Sequence, residues 1–294
     1  MIDQISFVIP KGSLEDQTLK YLKLADLEVR RTSTRDYSPV IKDLRISRVK
    51  ILRPQEIPIY VEAGYFDLGI TGLDWVLETG SNVKTVAELP YSKRESDRVK
   101  IVLAVYEKSD VNLPAGLKPN SKVSTEYPNL TKKYFDKLGL PINIFLSYGA
   151  TEAKVPDIMD AIVDITETGE TIRRSGLKII DVILESSTVL IANMDSYEEE
   201  EKRQSIEEIK TLILGAMDAE KRVLIKLNIP QEKLADVITL LPTMKAPSVS
   251  KLYNTNYYAV ESVVEKEQIN ELIPKLKRFG AEDILELAIN KIVD

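Results

Sequence analysis

The chain has 294 residues, of which 44% are hydrophobic and 29% are charged, and its formal net charge at pH 7 is −6. This length predicts two or three domains with ordinary hydrophobic cores, and the mixed, mildly acidic charge disfavours a nucleic-acid-binding surface. Cysteine and histidine are both absent, which excludes disulfides, thiolate nucleophiles and the commonest general base, so catalysis would depend on carboxylates, Lys, Arg, Tyr, hydroxyls or a hard cation such as Mg²⁺.

The amino-terminal sequence MIDQISFVIPKGSL lacks the basic segment and long apolar segment of a secretory signal. No later stretch reaches the roughly 20 apolar residues that a membrane-spanning helix needs. We therefore expect a cytoplasmic protein without membrane contact.

Strand and helix patterns alternate from the start of the chain. The apolar run Ile5–Pro10 predicts a buried strand, and residues 11–27 follow as an amphipathic helix. Residues 57–64 predict a helix, residues 66–71 a strand, and another helix begins at about Leu73. Alternation of this kind is typical of a mostly parallel α/β sheet.

The alternation continues after Arg98. Strands are predicted at residues 98–107, 122–125, 142–146 and 160–166, with a helix from about Asn129. Two more strands within residues 178–192 precede one long helix, whose start carries the acidic run Glu198–Glu201.

Two short segments of the chain resemble each other. Residues 66–72 and 159–165 both place an acidic residue ahead of an apolar strand. The similarity favours two half-bodies that face each other across a cleft, and a chance match is the alternative.

The pattern changes from Arg222 onwards. The remaining residues predict the order β-α-β-β-α-β, which is the split βαβ arrangement of ferredoxin-like domains. Such a module often binds a small ligand or mediates oligomerisation.

The segment DAIVDITETGETIRRSG, residues 160–176, combines acids and small hydroxylated residues at a strand-to-helix turn. Strand periodicity places Asp160 and Asp164 on one face. The turn Thr168-Gly169-Glu170-Thr171 presents backbone amides and hydroxyls that can bind a phosphate. Because carboxylates suit ribose hydroxyls or Mg²⁺, the segment predicts a sugar-phosphate site, and a capped helix with solvated acids is the alternative.

Three basic residues are candidates for binding further phosphate groups. Lys11 follows the predicted strand Ile5–Pro10, Arg53 precedes Pro54, and Arg98 begins a predicted strand. Polar residues recur at the ends of strands, where open α/β sheets bind ligands. Their recurrence favours a common site, although each residue alone could be solvated.

Four segments together resemble ATP phosphoribosyltransferase, the first enzyme of histidine biosynthesis. They are PKGSL, RPQEIPIYVEAGYFDLGITGLDWVLE, TEYPNLTKKYF and DAIVDITETGETIRRSGLK. The resemblance extends over essentially the whole chain, since LLPTMKAPSVSKL is similar to the regulatory domain of the long form of this family.

The resemblance implies an α/β fold with two half-bodies like those of type II periplasmic binding proteins, which form a catalytic cleft, and a C-terminal ferredoxin-like βαββαβ domain. The implied boundaries are residues 1–97 and 183–217 for catalytic domain I, residues 98–182 for catalytic domain II and residues 218–294 for the regulatory domain.

The resemblance also implies the reaction. N1 of the adenine of ATP displaces diphosphate from C1 of 5-phosphoribosyl 1-diphosphate in the presence of Mg²⁺. The implied assembly is a homo-oligomer, a dimer or a hexamer, with histidine as a feedback inhibitor.

Site residues are carried over where this sequence matches the family motif. The 5-phosphate is assigned to the turn of Thr168, Gly169, Glu170 and Thr171, and the ribose hydroxyls or Mg²⁺ to Asp160 and Asp164. Lys11, Arg53 and Arg98 are the predicted catalytic residues, for the charge of the triphosphate or diphosphate.

The chain also departs from the family pattern. The segment from Glu152 to Asp160 is one residue shorter, so we expect a different turn there. For histidine we predict Ser248, where the family often has threonine, and Asn228, where it commonly has an acid. A non-catalytic small-ligand-binding protein and a regulatory subunit of the same pathway are the alternative functions.

Overall fold

The computed structural model describes residues 4–91, 98–242 and 244–293. The chain forms two compact units, one from the described residues of Met1–Lys20 and Val29–Lys210, the other from those of Tyr21–Glu28 and Thr211–Asp294. The predicted boundary after residue 97 adjoins residues 92–97, which lie outside the described residues. The domain boundaries implied by the family resemblance stay a prediction.

The described strands and helices up to Glu220 alternate as the sequence predicts. In chain order they are β1 (Ile5–Pro10), α1 (Glu15–Leu24), β2 (Val29–Arg30), β3 (Val40–Ile41), β4 (Ile46–Leu52), α2 (Ile57–Glu62), β5 (Leu68–Gly72), α3 (Leu73–Thr79), β6 (Lys84–Leu89), β7 (Val99–Tyr106), β8 (Ser121–Thr125), α4 (Pro128–Leu138), β9 (Ile142–Leu146), β10 (Ala161–Thr166), α5 (Glu170–Arg174), β11 (Leu177–Ser186), β12 (Thr188–Ala192), α6 (Met194–Glu198) and α7 (Glu200–Glu220). Short 3₁₀ turns occur at Pro114–Gly116 and Thr151–Lys154.

Two five-stranded sheets in the first unit share one topology. Their strand orders are β4-β1-β5-β12-β6 and β9-β8-β10-β7-β11. In each sheet the first three strands are parallel, and the fourth is antiparallel to both neighbours. The two similar sequence segments form the third strands, β5 and β10, so the prediction of two similar half-bodies is confirmed.

The sheets are more mixed than the sequence predicts, and the connection between the half-bodies is the reason. The chain passes from β6 in one sheet to β7 in the other, and it returns from β11 to β12. The strands that enter from the other half-body, β7 and β12, start at the carboxyl ends of the parallel strands. They therefore run in the opposite direction.

Apolar strands covered on both faces form the cores of the half-bodies. Every residue of β1 and of β12 is buried, as is typical of central strands under helices. In the first half-body, Ile57 and Val61 of α2 pack with Val8 and Ile191 of the sheet. The segment around β10 alternates as predicted, with Ile162 in one core cluster and Val163 in another.

The long helix predicted after β12 is confirmed over Glu200–Glu220, but a short separate helix, α6, precedes it and ends before Glu199. The side chain of Asn193 caps α6 by accepting a hydrogen bond from the amide of Ser196. Glu200 and Glu201 then occupy the first turn of α7, where the helix dipole stabilises negative charge. Because of the break, Glu200 and Glu201 of the acidic run lie at a helix amino terminus.

The C-terminal module has the predicted βαββαβ order. Its elements are β13 (Arg222–Pro230), α8 (Leu234–Leu240), β14 (Ser248–Lys251), β15 (Tyr257–Glu265), α9 (Ile269–Arg278) and β16 (Glu282–Ala288), with 3₁₀ turns at Gln231–Lys233 and Lys266–Gln268. The sheet order is β14-β15-β13-β16, antiparallel throughout. Ile225 and Val260 of this sheet pack with Val237 and Leu272 of the helices, so the predicted fold class is confirmed.

Within the described residues, every helix is too short or too polar to cross a bilayer.

Asp67 joins three elements at the amino ends of β1 and β5. Its Oδ2 accepts hydrogen bonds from the amide and the hydroxyl of Ser6 at 2.7 and 2.6 Å, and its Oδ1 accepts one from Ser196 Oγ at 2.7 Å. Lys202 Nζ lies 3.4 Å from Asp67 Oδ1. Burial alone would raise the pKa of Asp67, but these hydrogen bonds and the lysine charge outweigh it and hold the pKa below 3.8.

We expect Asp67→Asn to lower the free energy of unfolding at pH 7 by about 2 kcal/mol, because hydrogen bonds to a carboxylate are stronger than those to an amide. The pKa of Asp67 is lower in the folded protein than in the unfolded chain. Its stabilisation is therefore present above about pH 4 and declines as the pH falls further. Urea unfolding at pH 7 and pH 3 measures both quantities.

The matched control is Asp157→Asn, a change at an exposed carboxylate, which should alter stability by less than about 0.5 kcal/mol at either pH. A difference between wild type and Asp67→Asn that stayed equal at pH 7 and pH 3 would contradict the role of the Asp67 charge.

Candidate functional site

A cavity of about 280 Å³ lies between the two half-bodies, beside the places where the chain crosses between them. The first half-body contributes residues after β1, β4 and β5, and the second contributes the end of β10 and the start of α5. The described residues that line the cavity are Ser13, Leu14, Pro54, Gly72, Asp74, Trp75, Tyr91, Arg98, Val99, Ile165, Thr166, Glu167, Thr168, Thr171, Ser186, Ser187 and Thr188. It is thus formed largely at the carboxyl ends of parallel strands, where such sheets bind ligands.

The structure brings two of the three predicted cations together. Lys11 follows β1 and Arg53 follows β4, and the register Pro10–Leu52 places them side by side. Lys11 Nζ donates a hydrogen bond to Tyr37 Oη at 2.6 Å and lies 4.1 Å from the centre of that ring. The hydrogen bond from Lys11 and the nearby charges of Lys11, Arg35 and Arg53 lower the pKa of the Tyr37 phenol.

Arg98, the third predicted cation, lines the cavity from the other half-body. Its guanidinium lies 3.7 Å from Glu185 Oε2, and its side chain is 61% exposed. An ion pair this exposed contributes little to stability, so a ligand could replace Glu185 as the partner of Arg98 at low cost.

The predicted phosphate turn forms part of the cavity wall. Thr168 and Thr171 line the cavity, and Gly169 has φ +75°, a left-handed conformation that favours glycine. A Cβ on Gly169 would lie 3.0 Å from both Arg173 Nη1 and Ile179 Cδ1. The glycine therefore gives the turn its conformation and also leaves room for these two side chains.

Part of the turn is already hydrogen-bonded within itself. The amide of Gly169 donates to Thr166 Oγ1 at 2.8 Å, and the amide of Glu170 donates to Thr168 Oγ1 at 3.4 Å. The carboxylate of Glu170 forms an ion pair with Arg174 at 2.5 Å. Glu170 can thus contribute its backbone to a bound anion while Arg174 neutralises its side chain.

Of the two predicted acids, only Asp164 lies near the turn. Asp160 precedes β10, and its Oδ2 accepts a hydrogen bond from the amide of Lys122 at 2.7 Å. Four residues along an extended strand separate it from Asp164 by about 13 Å. Strand alternation puts both acids on one face, but the structure does not bring Asp160 to the turn at Gly169.

Asp164 is half-buried among other charged groups. Burial, with additional repulsion from Glu152 and Glu126, raises its pKa to about 6, against the opposing effects of the Ile165 amide and of Lys154. Lys154 Nζ donates to Ser147 Oγ at 2.6 Å. A ribose hydroxyl or a cation beside Asp164 would relieve the repulsion between these carboxylates.

The segment leading into β10, for which the sequence predicts an altered turn, is compact. A 3₁₀ turn at Thr151–Lys154 carries Glu152, and a cis peptide bond joins Val155 to Pro156. The shorter connection still brings Glu152 close enough to act on the charge of Asp164.

The sequence-based prediction missed several residues that line the cavity. Asp74 and Trp75 lie in the first turn of α3. A run of hydroxylated residues, Ser186 to Thr188, spans the end of β11 and the start of β12. Asp74 closely follows the buried strand β5, as Lys11 follows the buried strand β1, and this was a usable signal. The hydroxylated run follows β11, which is only partly buried, so no such signal marked it.

Asp74 is 3% exposed and belongs to a network between the half-bodies. Its Oδ1 accepts a hydrogen bond from Ser186 Oγ at 2.7 Å, and its Oδ2 accepts one from Tyr127 Oη at 2.9 Å. Burial raises the pKa of Asp74, and these hydrogen bonds oppose the increase. Burial and the nearby Asp74 together raise the pKa of the Tyr127 phenol well above its usual value, so the phenol stays a hydrogen-bond donor.

In the C-terminal module, the two predicted effector residues lie on one face of the sheet. Asn228 pairs with Ala259, and Ser248 pairs with Glu261 on the same strand, which puts them about 12 Å apart from strand geometry. Asn228 Nδ2 donates a hydrogen bond to Asp283 Oδ2 at 2.8 Å.

Comparison with known proteins identifies the family. The family model for ATP phosphoribosyltransferase matches residues 53–215, and the model for the C-terminal domain of the same family matches residues 219–291. A chain of the ATP phosphoribosyltransferase HisG:HisZ complex from Thermotoga maritima has a similar structure, with a TM-score of 0.61, 28% identity, and coverage of 72% of this chain and 99% of that one.

Curated relatives align with nearly the whole chain. The ATP phosphoribosyltransferase of Geotalea daltonii is 42% identical over 294 residues, which cover 100% of both chains. That of Desulforudis audaxviator is 40% identical over 285 residues, covering 97% of this chain and 98% of the relative. The chain therefore belongs to the ATP phosphoribosyltransferase family in its long form, the enzymes of the first step of histidine biosynthesis.

Proposed function

We propose that this enzyme transfers the 5-phosphoribosyl group from 5-phosphoribosyl 1-diphosphate to N1 of the adenine of ATP and releases diphosphate. The observation that carries the proposal is the arrangement of the cavity. The hydroxyl-rich turn at Thr168 and Thr171 forms one wall, and Ser13, Leu14 and Pro54 belong to the other. Lys11 and Arg53 lie next to these residues in the chain, directly after β1 and β4. Two anionic substrates can thus bind from opposite half-bodies with their reacting atoms between them.

The 5-phosphate of the donor fits the turn around Gly169. Thr168 and Thr171 line the cavity, and the backbone amides that begin α5 can share an anion with their hydroxyls. We assign the ribose hydroxyls to Asp164, which lies on β10 two residues before Thr166 of the cavity wall. Asp160 has no part in the proposed site, because its carboxylate is bound to the Lys122 amide at the other end of β10.

The reaction suits a chain without histidine. Adenine N1 has a free lone pair at neutral pH, so its attack on C1 of the ribose needs no general base. The leaving diphosphate needs positive charge more than a proton, and Lys11, Arg53 and Arg98 can supply it. The main task of the protein is to hold two large anions with their reacting atoms in line.

A magnesium ion fits the donor set of this site. Proteins that use Mg²⁺ with phosphate substrates commonly supply one or two carboxylates and leave the other positions to phosphate and water. Asp164 and Glu126 could be these carboxylates, whereas the described residues contain no group of three or more acids that could hold a metal alone. When bound, Mg²⁺ would neutralise charge on the diphosphate.

The proposed reaction is tested by mixing the protein with ATP, 5-phosphoribosyl 1-diphosphate and Mg²⁺. We expect release of diphosphate together with an increase in ultraviolet absorbance from the N1-substituted adenine. Omitting either substrate is the control. No signal above these controls would rule out the enzyme, and turnover only after addition of a second protein chain would favour a regulatory subunit.

A double change in the turn tests the donor site. Gly169→Ala with Thr171→Ala removes one hydroxyl and imposes a left-handed conformation on alanine, so we expect the KM for the ribosyl donor to rise about tenfold or more, with the KM for ATP nearly unchanged. Steady-state kinetics with each substrate varied in turn measures both constants.

The matched control is Gly139→Ala. Gly139 has φ +65° at the end of α4, and an added Cβ would meet no atom within 4 Å. This variant carries a similar backbone strain outside the cavity, so neither KM should change. Equal increases in both KM values for the double variant would contradict the assignment of the turn.

We also propose that histidine binds to the open face of the C-terminal sheet and inhibits the enzyme. The support is the position of Asn228 and Ser248 on that face. Asp283, hydrogen-bonded to Asn228, supplies a carboxylate where the family commonly has an acid, and it could pair with the ammonium group of histidine.

The exposed Leu285 and Leu287 on β16 support contact of this module with another copy in a homo-oligomer.

Calorimetric titration with histidine tests the effector site. We expect Ser248→Ala to raise the Kd about fivefold, the loss of one hydrogen bond of about 1 kcal/mol. Thr255→Ala is the control, since it removes a hydroxyl from the exposed β14–β15 turn. No heat with the wild-type protein, or equal effects of the two variants, would overturn the proposal.

A further inference from the structure

The buried carboxylate of Asp74 binds the two half-bodies together at the cavity. Asp74 belongs to α3 of the first half-body, whereas its partner Ser186 ends β11 and its partner Tyr127 precedes α4 in the second. The amide of Asp74 also donates to Ser186 Oγ at 3.0 Å. Each of these hydrogen bonds therefore crosses from one half-body to the other.

Two neighbours of Asp74 extend the contact. Trp75 stacks on Tyr127 with ring centres 4.4 Å apart and an angle of 25° between the planes. One turn further along α3, the carboxylate of Glu78 accepts hydrogen bonds from the amides of Asn129 and Leu130 at 2.9 and 2.8 Å. Since Tyr127 gives α4 no side-chain cap, Glu78 caps this helix from the other half-body.

A purely structural contact would not need this chemistry. Removing a carboxylate from water costs several kcal/mol, and a well-packed apolar pair is often as stable or more stable. What hydrogen bonds add is direction, because they fix the distance and angle between the groups that they join. The Asp74 network is thus suited to setting a relative position rather than to adding stability.

The position that it sets is the one the proposed reaction needs. Lys11 and Arg53 belong to the first half-body and the Gly169 turn to the second, so the spacing of the two substrates depends on how the half-bodies meet. Asp74 and Ser186 both line the cavity where they meet. A displacement of 1 Å between reacting groups can lower a rate about a hundredfold.

We propose that Asp74 is a positioning residue that, through Tyr127 and Ser186, fixes the spacing between the donor and acceptor sites. This inference rests on the proposed function. It predicts that breaking the network lowers turnover while each substrate still binds to its own half-body.

The test uses Tyr127→Phe, which removes the hydroxyl that donates to Asp74 and keeps the ring that stacks on Trp75. We expect kcat to fall about tenfold or more while both KM values change less than about threefold. Ser186→Ala removes the other donor and should have the same effect. Unchanged kcat in both variants would overturn the positioning role.

Tyr134→Phe is the matched control. The Tyr134 hydroxyl, on α4, also donates to an aspartate, Asp181, but both residues belong to the second half-body. This variant loses an equivalent phenol–carboxylate hydrogen bond without affecting the contact between half-bodies, so kcat should stay within about twofold. An equal loss of kcat in Tyr134→Phe would show that the effect is general destabilisation.

A measurement without substrates separates this inference from the proposed function. Trp75 is the only tryptophan of the chain, so its fluorescence reports the junction directly. We expect acrylamide to quench this fluorescence about twofold more in Tyr127→Phe than in wild type, and equally in Tyr134→Phe and wild type, because only the first loosens the junction. If quenching in Tyr127→Phe equals that in wild type, the inference is overturned even when the wild-type enzyme is active. If wild type is inactive but quenching increases in Tyr127→Phe, only the proposed function is overturned.

Discussion

The arrangement of the two half-bodies depends on one buried carboxylate, that of Asp74, at the junction of the two sheets. Asp74 can occupy this place only because β5 ends in glycine, since a Cβ on Gly72 would lie 2.2 Å from Asp74 Oδ1. The carboxylate then folds back over the strand end and reaches Ser186 and Tyr127 of the other half-body. The cavity exists where this junction leaves the strand ends uncovered.

Polar groups are used differently at the two ends of the first sheet. At the amino ends, Asp67 is satisfied by Ser6, Ser196 and Lys202 within the fold. At the carboxyl ends, Lys11 has only an exposed tyrosine as its partner among the described contacts. The Asp67 network stabilises the amino ends. At the carboxyl ends, Lys11 and the exposed Arg53 can bind an anionic ligand without the cost of breaking a buried network.

Local patterns predicted much of this architecture, and long-range contacts account for what they missed. The strands and the C-terminal module follow from apolar runs and turn residues, which act over a few positions. Asp74 reads locally as an acid in the first turn of an exposed helix, and only the fold brings Ser186, 112 residues later, against it. The separation of Asp160 from the Gly169 turn was also beyond the local pattern, because periodicity gives the face of a strand but not the distance along it.

The proposed reaction explains how the site can work without histidine. A reaction that needed a proton removed near neutral pH would require a group such as Asp164, whose pKa of about 6 results from burial and neighbouring carboxylates. In the proposed transfer the nucleophile is already unprotonated, so Asp164 can serve as a hydrogen-bond acceptor or cation ligand instead. The rate then depends on the alignment of the two substrates and on the positive charge around the leaving diphosphate. The junction between the half-bodies sets this alignment, so it matters more to the rate than any single proton-transferring side chain.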